Sequence, residues 1–236
     1  MRASVGRQFV ESTERRLTAT TCRDRRKDVE NIGTTRVGGI VLCGGQSARM
    51  GRPKLSLPFG DETMLGRVVR IVGEVVSPVV VVAAAGQELP ALPRGTLVAR
   101  DETASQGPLA GLAAGLTALG DSAYAAYVSS CDVPLLKAAL IRALIDALGT
   151  HEVAVVRDQE RDHPLAAVYR TTCAERVHHF LAAGRRGLTE FVRQCDVRIV
   201  EGTELQAVDP ELQSLVNVNT PAEYLAALRA AGFAAK

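Results

Sequence analysis

Val37-Gly38-Gly39-Ile40-Val41-Leu42-Cys43-Gly44-Gly45-Gln46-Ser47-Ala48-Arg49-Met50-Gly51-Arg52-Pro53-Lys54 begins as an apolar run and ends as a glycine-rich, basic loop. Val37 to Leu42 has the composition of a short strand covered on both faces, as in a parallel sheet. Gly44 and Gly45 let the backbone turn tightly and bring N–H groups against phosphate oxygens. Arg49, Arg52 and Lys54 place three positive charges within six residues. Ligands of open α/β sheets sit beyond the carboxyl ends of the strands, so such a loop after the first strand predicts phosphate binding. It is not a Walker A loop, because Gly51 is followed by Arg52-Pro53-Lys54 rather than by Lys and Ser or Thr. The spacing of Gly44-Gly45-Gln46-Ser47-Ala48 also excludes the dinucleotide GxGxxG pattern. A solvated basic turn is the bland alternative, and the placement of Pro53 and the glycines argues against it.

Outward from this loop, strand-like and helix-like stretches alternate. Leu65, Val68, Val69, Val72, Val75 and Val76 form a helical stripe with Thr63 placed to cap it and Pro78 to end it. Val79 to Ala85, Leu97 to Ala99 and Tyr124 to Ser129 read as further strands. Leu109 to Leu119 and Leu136 to Leu148 read as the helices between and after them. Past residue 150 the alternation loosens. Val153 to Arg157 and Pro164 to Tyr169 look like two strands joined by a polar turn, and Val197 to Glu201 is a late strand. Thr172 with Glu175, and Thr220-Pro221 with Glu223, fit capping boxes. The expected fold is α/β: a mostly parallel, Rossmann-like sheet with helices on both faces, in a single domain over residues 37–236.

Of 236 residues, 47% are hydrophobic and 23% charged, ordinary for a globular chain long enough to bury a full core. The net charge of +2 is too small for a nucleic-acid-binding surface. Residues 1–36 carry nine Lys or Arg and five Asp or Glu and show no apolar periodicity, so they read as a disordered extension without assigned function. Their interspersed acids argue against a transit peptide. The cysteines Cys22, Cys43, Cys131, Cys173 and Cys195 are odd in number and lack metal-site spacing, which suggests buried free thiols in a reducing cytoplasm. No apolar run suits a membrane span or a signal peptide.

The loop from Leu42 to Lys54 resembles the signature of the MobA-type nucleotidyltransferases, specifically their molybdenum cofactor guanylyltransferase branch. The resemblance extends through Arg100-Asp101, Gly107-Pro108-Leu109-Ala110-Gly111, Cys131-Asp132-Val133-Pro134, Arg161-Asp162-His163-Pro164 and Asn217-Val218-Asn219-Thr220-Pro221. It implies transfer of GMP from GTP to a molybdenum-bearing molybdopterin phosphate, with release of pyrophosphate. Residues 37–150 would form the nucleotide half and 151–236 the pterin half. Molybdoenzymes or other cofactor-assembly proteins are the implied further partners. The alternatives are a cytidylyltransferase acting on the same cofactor and a nucleotide-binding regulator without catalysis.

The resemblance also assigns roles. Lys54 and Arg49 would neutralise the triphosphate, with Arg52 a bystander. Leu42, Cys43, Gly44 and Gly45 would contact the nucleotide, although the family usually has Ala at the position of Cys43. Asp101 would meet the base or ribose. Asp132 would bind Mg2+, against the alternative of a helix cap before Pro134. Asn219, or less favourably Asn217, would add a second oxygen; organising the turn before Thr220 is an equal alternative. His163, Arg185, Arg186 and Asn217 would contact the pterin, with a solvated helix end nearly as good a reading for the two arginines. The asparagine the family often carries after its second strand is missing from Val82-Ala83-Ala84-Ala85.

Overall fold

β1 (Val37–Leu42) lies inside a seven-stranded sheet, and the reason is its composition: Ile40, Val41 and Leu42 present apolar groups alternately to two opposite faces. In the computed structural model, which describes residues 36–43, 54–101 and 107–234, both faces are covered. Ile40 and Leu42 pack on α2 (Pro108–Leu119), while Val41 and Cys43 pack on the side of α1 (Met64–Gly73) and α3 (Ala138–Leu148). The described residues belong to one unit, Thr34–Lys236. The extension expected over residues 1–36 falls, apart from Arg36, outside them. No helix of the described residues is long and apolar enough to cross a membrane.

The remaining strands are the small hairpin β2 (Pro58–Phe59) and β3 (Glu62–Thr63), then β4 (Val79–Ala84), β5 (Leu97–Asp101), β6 (Ala125–Ser130), β7 (Val153–Asp158), β8 (Arg161–Arg170) and β9 (Val197–Glu201). The sheet runs β5-β4-β1-β6-β8-β7-β9. Only β8 is antiparallel to its neighbours, β6 and β7. The mostly parallel sheet with helices on both faces is therefore as expected, and it runs without a break through both halves of the chain. Strand order reverses at the β1–β6 boundary, the place where open α/β sheets bind ligands beyond the carboxyl ends of their strands.

α4 (Cys173–Ala182) and α5 (Leu188–Val192) cover the α2 face of the sheet. α6 (Gly202–Leu205) follows β9. α7 (Pro221–Ala230) packs with Phe59 and Met64 in a third apolar cluster that also buries Val218.

Three local expectations need correction. α1 stops at Gly73, before Pro78, because the chain must return to pair Val79 with Gly39. Thr172 has helical backbone angles and makes no capping bond, so the box with Glu175 does not form. Its neighbour Thr171 instead donates its hydroxyl to the Ala123 carbonyl at 3.0 Å. By contrast, Thr63 accepts from the Gly66 amide at 3.0 Å, and the Thr220–Glu223 box is complete. The polar turn between β7 and β8 is tighter than expected. It consists of Gln159 and Glu160, both at positive φ, with Arg157 and Asp162 paired at 2.7 Å beside it.

Candidate active site

Leu42 pairs in register with Ser130, so the loops after β1 and β6 leave the sheet side by side. The Cys131 amide donates to the Leu42 carbonyl at 3.1 Å and extends that pairing by one residue. The Val218 amide then donates to the Asp132 carbonyl at 2.8 Å, which ties residues 217–219 onto the turn after β6. Val218 is fully buried. Alternation along this extended segment therefore turns Asn217 and Asn219 away from the core and toward Asp132 and Lys54.

The Asp132 carboxylate is held on both sides. Its Oδ1 accepts from the Ser130 hydroxyl at 2.6 Å and from the Asn217 amide at 2.7 Å. Its Oδ2 faces the Lys54 ammonium at 3.3 Å, and Lys54 also donates to Asn219 Oδ1 at 2.6 Å. The Lys54 and Asp132 side chains are only 17% and 16% exposed, so solvent screens this pair less than a surface ion pair. Asn219 is fixed from behind: its amide and that of Thr220 donate to Glu223 Oε2 at 2.6 and 2.9 Å. These bonds, the one from Asn219 first, hold the Glu223 carboxyl below its ordinary range.

A cavity of about 640 Å3 adjoins this cluster and shares Ser130 and Asn217 with it. Its polar lining includes His163, Arg161, Arg186 and Arg193 and the carboxylates of Glu160 and Asp162, with Pro164, Leu165 and Leu188 among its apolar walls. Burial, and then the Arg161 guanidinium, hold His163 below the usual histidine value. The imidazole is thus neutral at pH 7, and positive charge in the cavity comes from the arginines.

The other expected site residues divide plainly. Arg185 does not line the cavity: it donates to Glu190 at 3.1 Å and lies 3.7 Å over the Phe180 ring. Arg186 does line it, with its guanidinium steadied by the Leu181 carbonyl at 2.7 Å. Asp101 closes β5, in register with Ala84. Gly44, Gly45 and Arg49 lie outside the described residues. The Cys131 thiol beside Cys43, together with burial, pushes the Cys43 thiol well up, so Cys43 stays neutral and packs as a small apolar group. Ser130, Arg161 and Arg193 were not foreseen as site residues. Ser130 stands two positions before Asp132 at a strand end, a signal that was available; Arg193 carried none.

Residues 39–199, more than half of the chain, match the family model described as the MobA-like NTP transferase domain. The chain belongs to that family. It is accordingly a nucleotidyltransferase. A relative from Mycobacterium avium (strain 104), named "Probable molybdenum cofactor guanylyltransferase", is 38% identical over 198 residues, covering 82% of this chain and 96% of the relative. Among solved structures, molybdopterin-guanine dinucleotide biosynthesis protein A from Archaeoglobus fulgidus superposes with a TM-score of 0.67 at 20% identity, over 83% of this chain and 99% of the other. A Mycobacterium tuberculosis H37Rv protein crystallised in complex with manganese gives a TM-score of 0.56 at 20% identity, over 83% and 99%. At these identities the two structures attest the fold.

Proposed function

We propose that this protein transfers GMP from GTP to the molybdenum-bearing molybdopterin cofactor, forming the guanine dinucleotide and releasing pyrophosphate. The observation that carries this reading is the shared wall between the Lys54–Asp132–Asn219 cluster and the arginine-lined cavity. Ser130 and Asn217 belong to both, so an acceptor phosphate in the cavity lies beside a triphosphate held at the cluster. Residues 37–150 would hold the nucleotide and residues 151–236 the pterin, with Asn217 and Asn219 reaching across. The name of the 38% identical relative supports the same acceptor and nucleotide.

The donor set suits a hard divalent cation. Asp132 Oδ2 and Asn219 Oδ1 converge on one positive charge, the Lys54 ammonium, which marks the place where a cation is stabilised. Among the described residues no group of three or more His, Cys, Asp or Glu gathers, so water and phosphate oxygens would have to complete the shell of such a cation. Mg2+ held by Asp132 and Asn219 would neutralise charge on the bridging phosphates. The complex of the Mycobacterium tuberculosis protein with manganese supports a divalent ion in this fold.

The chain's own groups do the rest by position and charge. Lys54, with Arg49 from the loop, stabilises the leaving pyrophosphate. Leu42, Cys43, Gly44 and Gly45 offer backbone groups to the nucleotide, and Asp101 meets its base or ribose. Arg186 and Arg193 orient the acceptor phosphate, whose oxygen is already anionic and needs no general base. His163 and Pro164 bound the pterin. GTP is an intracellular substrate, which puts the reaction in the cytoplasm, where the product passes to molybdoenzymes or other assembly proteins. Pyrophosphate release with purified molybdopterin and GTP, CTP or ATP tests the reading. GTP is expected to be turned over fastest; a preference for CTP, or no release with any nucleotide, overturns it.

A further inference from the structure

The ladder between β1 and β4 is interrupted at the point where the nucleotide loop begins. The Cys43 amide donates to the Val82 carbonyl at 2.8 Å, a regular parallel bond. The next bond of such a ladder runs from the Ala84 amide to the Cys43 carbonyl. Here the Gln87 carboxamide stands between those two groups. The Ala84 amide donates to Gln87 Oε1 at 3.0 Å, and Gln87 Nε2 donates to the Cys43 carbonyl at 3.0 Å. The side chain thus acts as an extra peptide unit spliced into the rung.

The turn that carries it is fixed independently. The Gln87 amide donates to the Ala84 carbonyl at 3.1 Å, and Gly86 takes the positive φ of 71° that the third position of a type II turn requires. The Arg100 guanidinium donates to the carbonyls of Ala84 and Gln87 at 3.2 and 2.6 Å. A direct bond from Ala84 to Cys43 satisfies the same two backbone groups without ordering a long side chain, which costs conformational entropy. The splice therefore gains nothing in pairing; its product is geometric. It spreads β1 from β4 by the width of one amide at their carboxyl ends, next to Asp101.

We propose that Gln87 is a positioning residue for the nucleotide. Its carboxamide holds the ends of β1 and β4 apart and opens room beside Cys43 and Ala84 for the base and ribose of the triphosphate substrate. This rests on GTP being the donor.

Gln87→Ala lets the Ala84 amide reach the Cys43 carbonyl directly, so its melting temperature stays close to that of the parent chain. Its KM for GTP rises about tenfold or more, the size of one lost ordering interaction, while kcat and the KM for molybdopterin hold. Gln87→Glu, which keeps the length but faces the Cys43 carbonyl with an oxygen in place of the amide N–H, raises the KM for GTP at least as far. An unchanged KM for GTP in both variants, or a rise shared equally by the molybdopterin KM, overturns the proposal. Equilibrium binding of a fluorescent GTP analogue to the same variants separates this from the proposed reaction. A parent chain that binds GTP without transferring it sinks the reaction, while the ratio of binding constants still decides the role of Gln87.

Discussion

Lys54 donates from Nζ to Asn219 Oδ1 at 2.6 Å across 165 positions of the chain. The bond joins the residue at the end of the loop after β1 to a segment near the C-terminus, and Asp132 Oδ2, 3.3 Å from the same ammonium, completes the triangle. The three groups meet at the topological switch point of the sheet. Substitutions at this corner test the proposed chemistry directly.

Asp132→Asn keeps side-chain length, and Lys54→Met shortens the side chain by one atom while removing its charge. Under the proposed roles, removing the Lys54 charge from the phosphates, or the Asp132 charge from Mg2+, costs about 100- to 1000-fold in kcat. Removing one partner leaves the other without its counter-charge at a site only 16–17% exposed, which costs about 1–3 kcal/mol, so both variants should fold but melt below the parent chain. Steady-state pyrophosphate release and thermal unfolding check this; turnover within threefold of the parent, about 0.65 kcal/mol of barrier, would clear either residue of its role.

Asn217 and Asn219 are expected to respond differently. Asn217→Ala removes one of two donors to Asp132 Oδ1 and leaves Asn219 in place, so the Mg2+ concentration for half-maximal rate rises about tenfold. Asn219→Ala removes the oxygen itself and should raise it further. Titration of the rate with Mg2+ ranks the two, and a larger effect from Asn217 contradicts the assignment.

His163 titrates below the ordinary 6.5, first through burial and then through Arg161. Because the folded value lies below the unfolded one, the unfolded chain takes up this proton first. The stability His163 contributes is present above pH 6.5 and is lost as pH falls through the folded value. Arg161→Gln removes the second cause and should raise the NMR titration midpoint of the His163 ring, though not fully, since burial remains. An unmoved midpoint removes Arg161 from this role.

Gly115 on α2 shows which of two opposed effects wins. Alanine is favoured over glycine in a helix by about 1 kcal/mol. A Cβ at Gly115, however, would lie 2.6 Å from Cγ2 of the fully buried Ile40, where overpacking costs about 1–3 kcal/mol. Gly115→Ala should therefore lower stability in urea unfolding despite its better helix propensity; a stabilised variant would show that α2 can retreat from β1.

The parts of the fold visible in the sequence were those set by neighbours along the chain. The continuous apolar runs of β1 and β4, the helical stripe of α1, and the Thr220-Pro221-Glu223 cap all express local composition, periodicity or capping chemistry. Thr172 shows the limit of such rules: the residue pattern of a capping box was present, yet the bonds of the box are absent, and Thr171 is drawn to Ala123 instead. Likewise α1 ended on the demand of sheet pairing at Val79 rather than at Pro78.

By itself the sequence determined that a basic glycine-rich loop follows the first strand of a mostly parallel sheet, and that Asp132 stands at the end of another. Spacing along a chain carries that much, because strand ends and loops are local events. The tertiary structure alone decided how the polar groups divide their work. It turned Asn217 toward Asp132 and Asn219 toward Lys54, laid Arg185 on Phe180 while leaving Arg186 to the cavity, and set Gln87 between Cys43 and Ala84. Hydrogen bonds and charges act over a few ångströms of space, and the packing of both sheet faces settles which distant residues come that close.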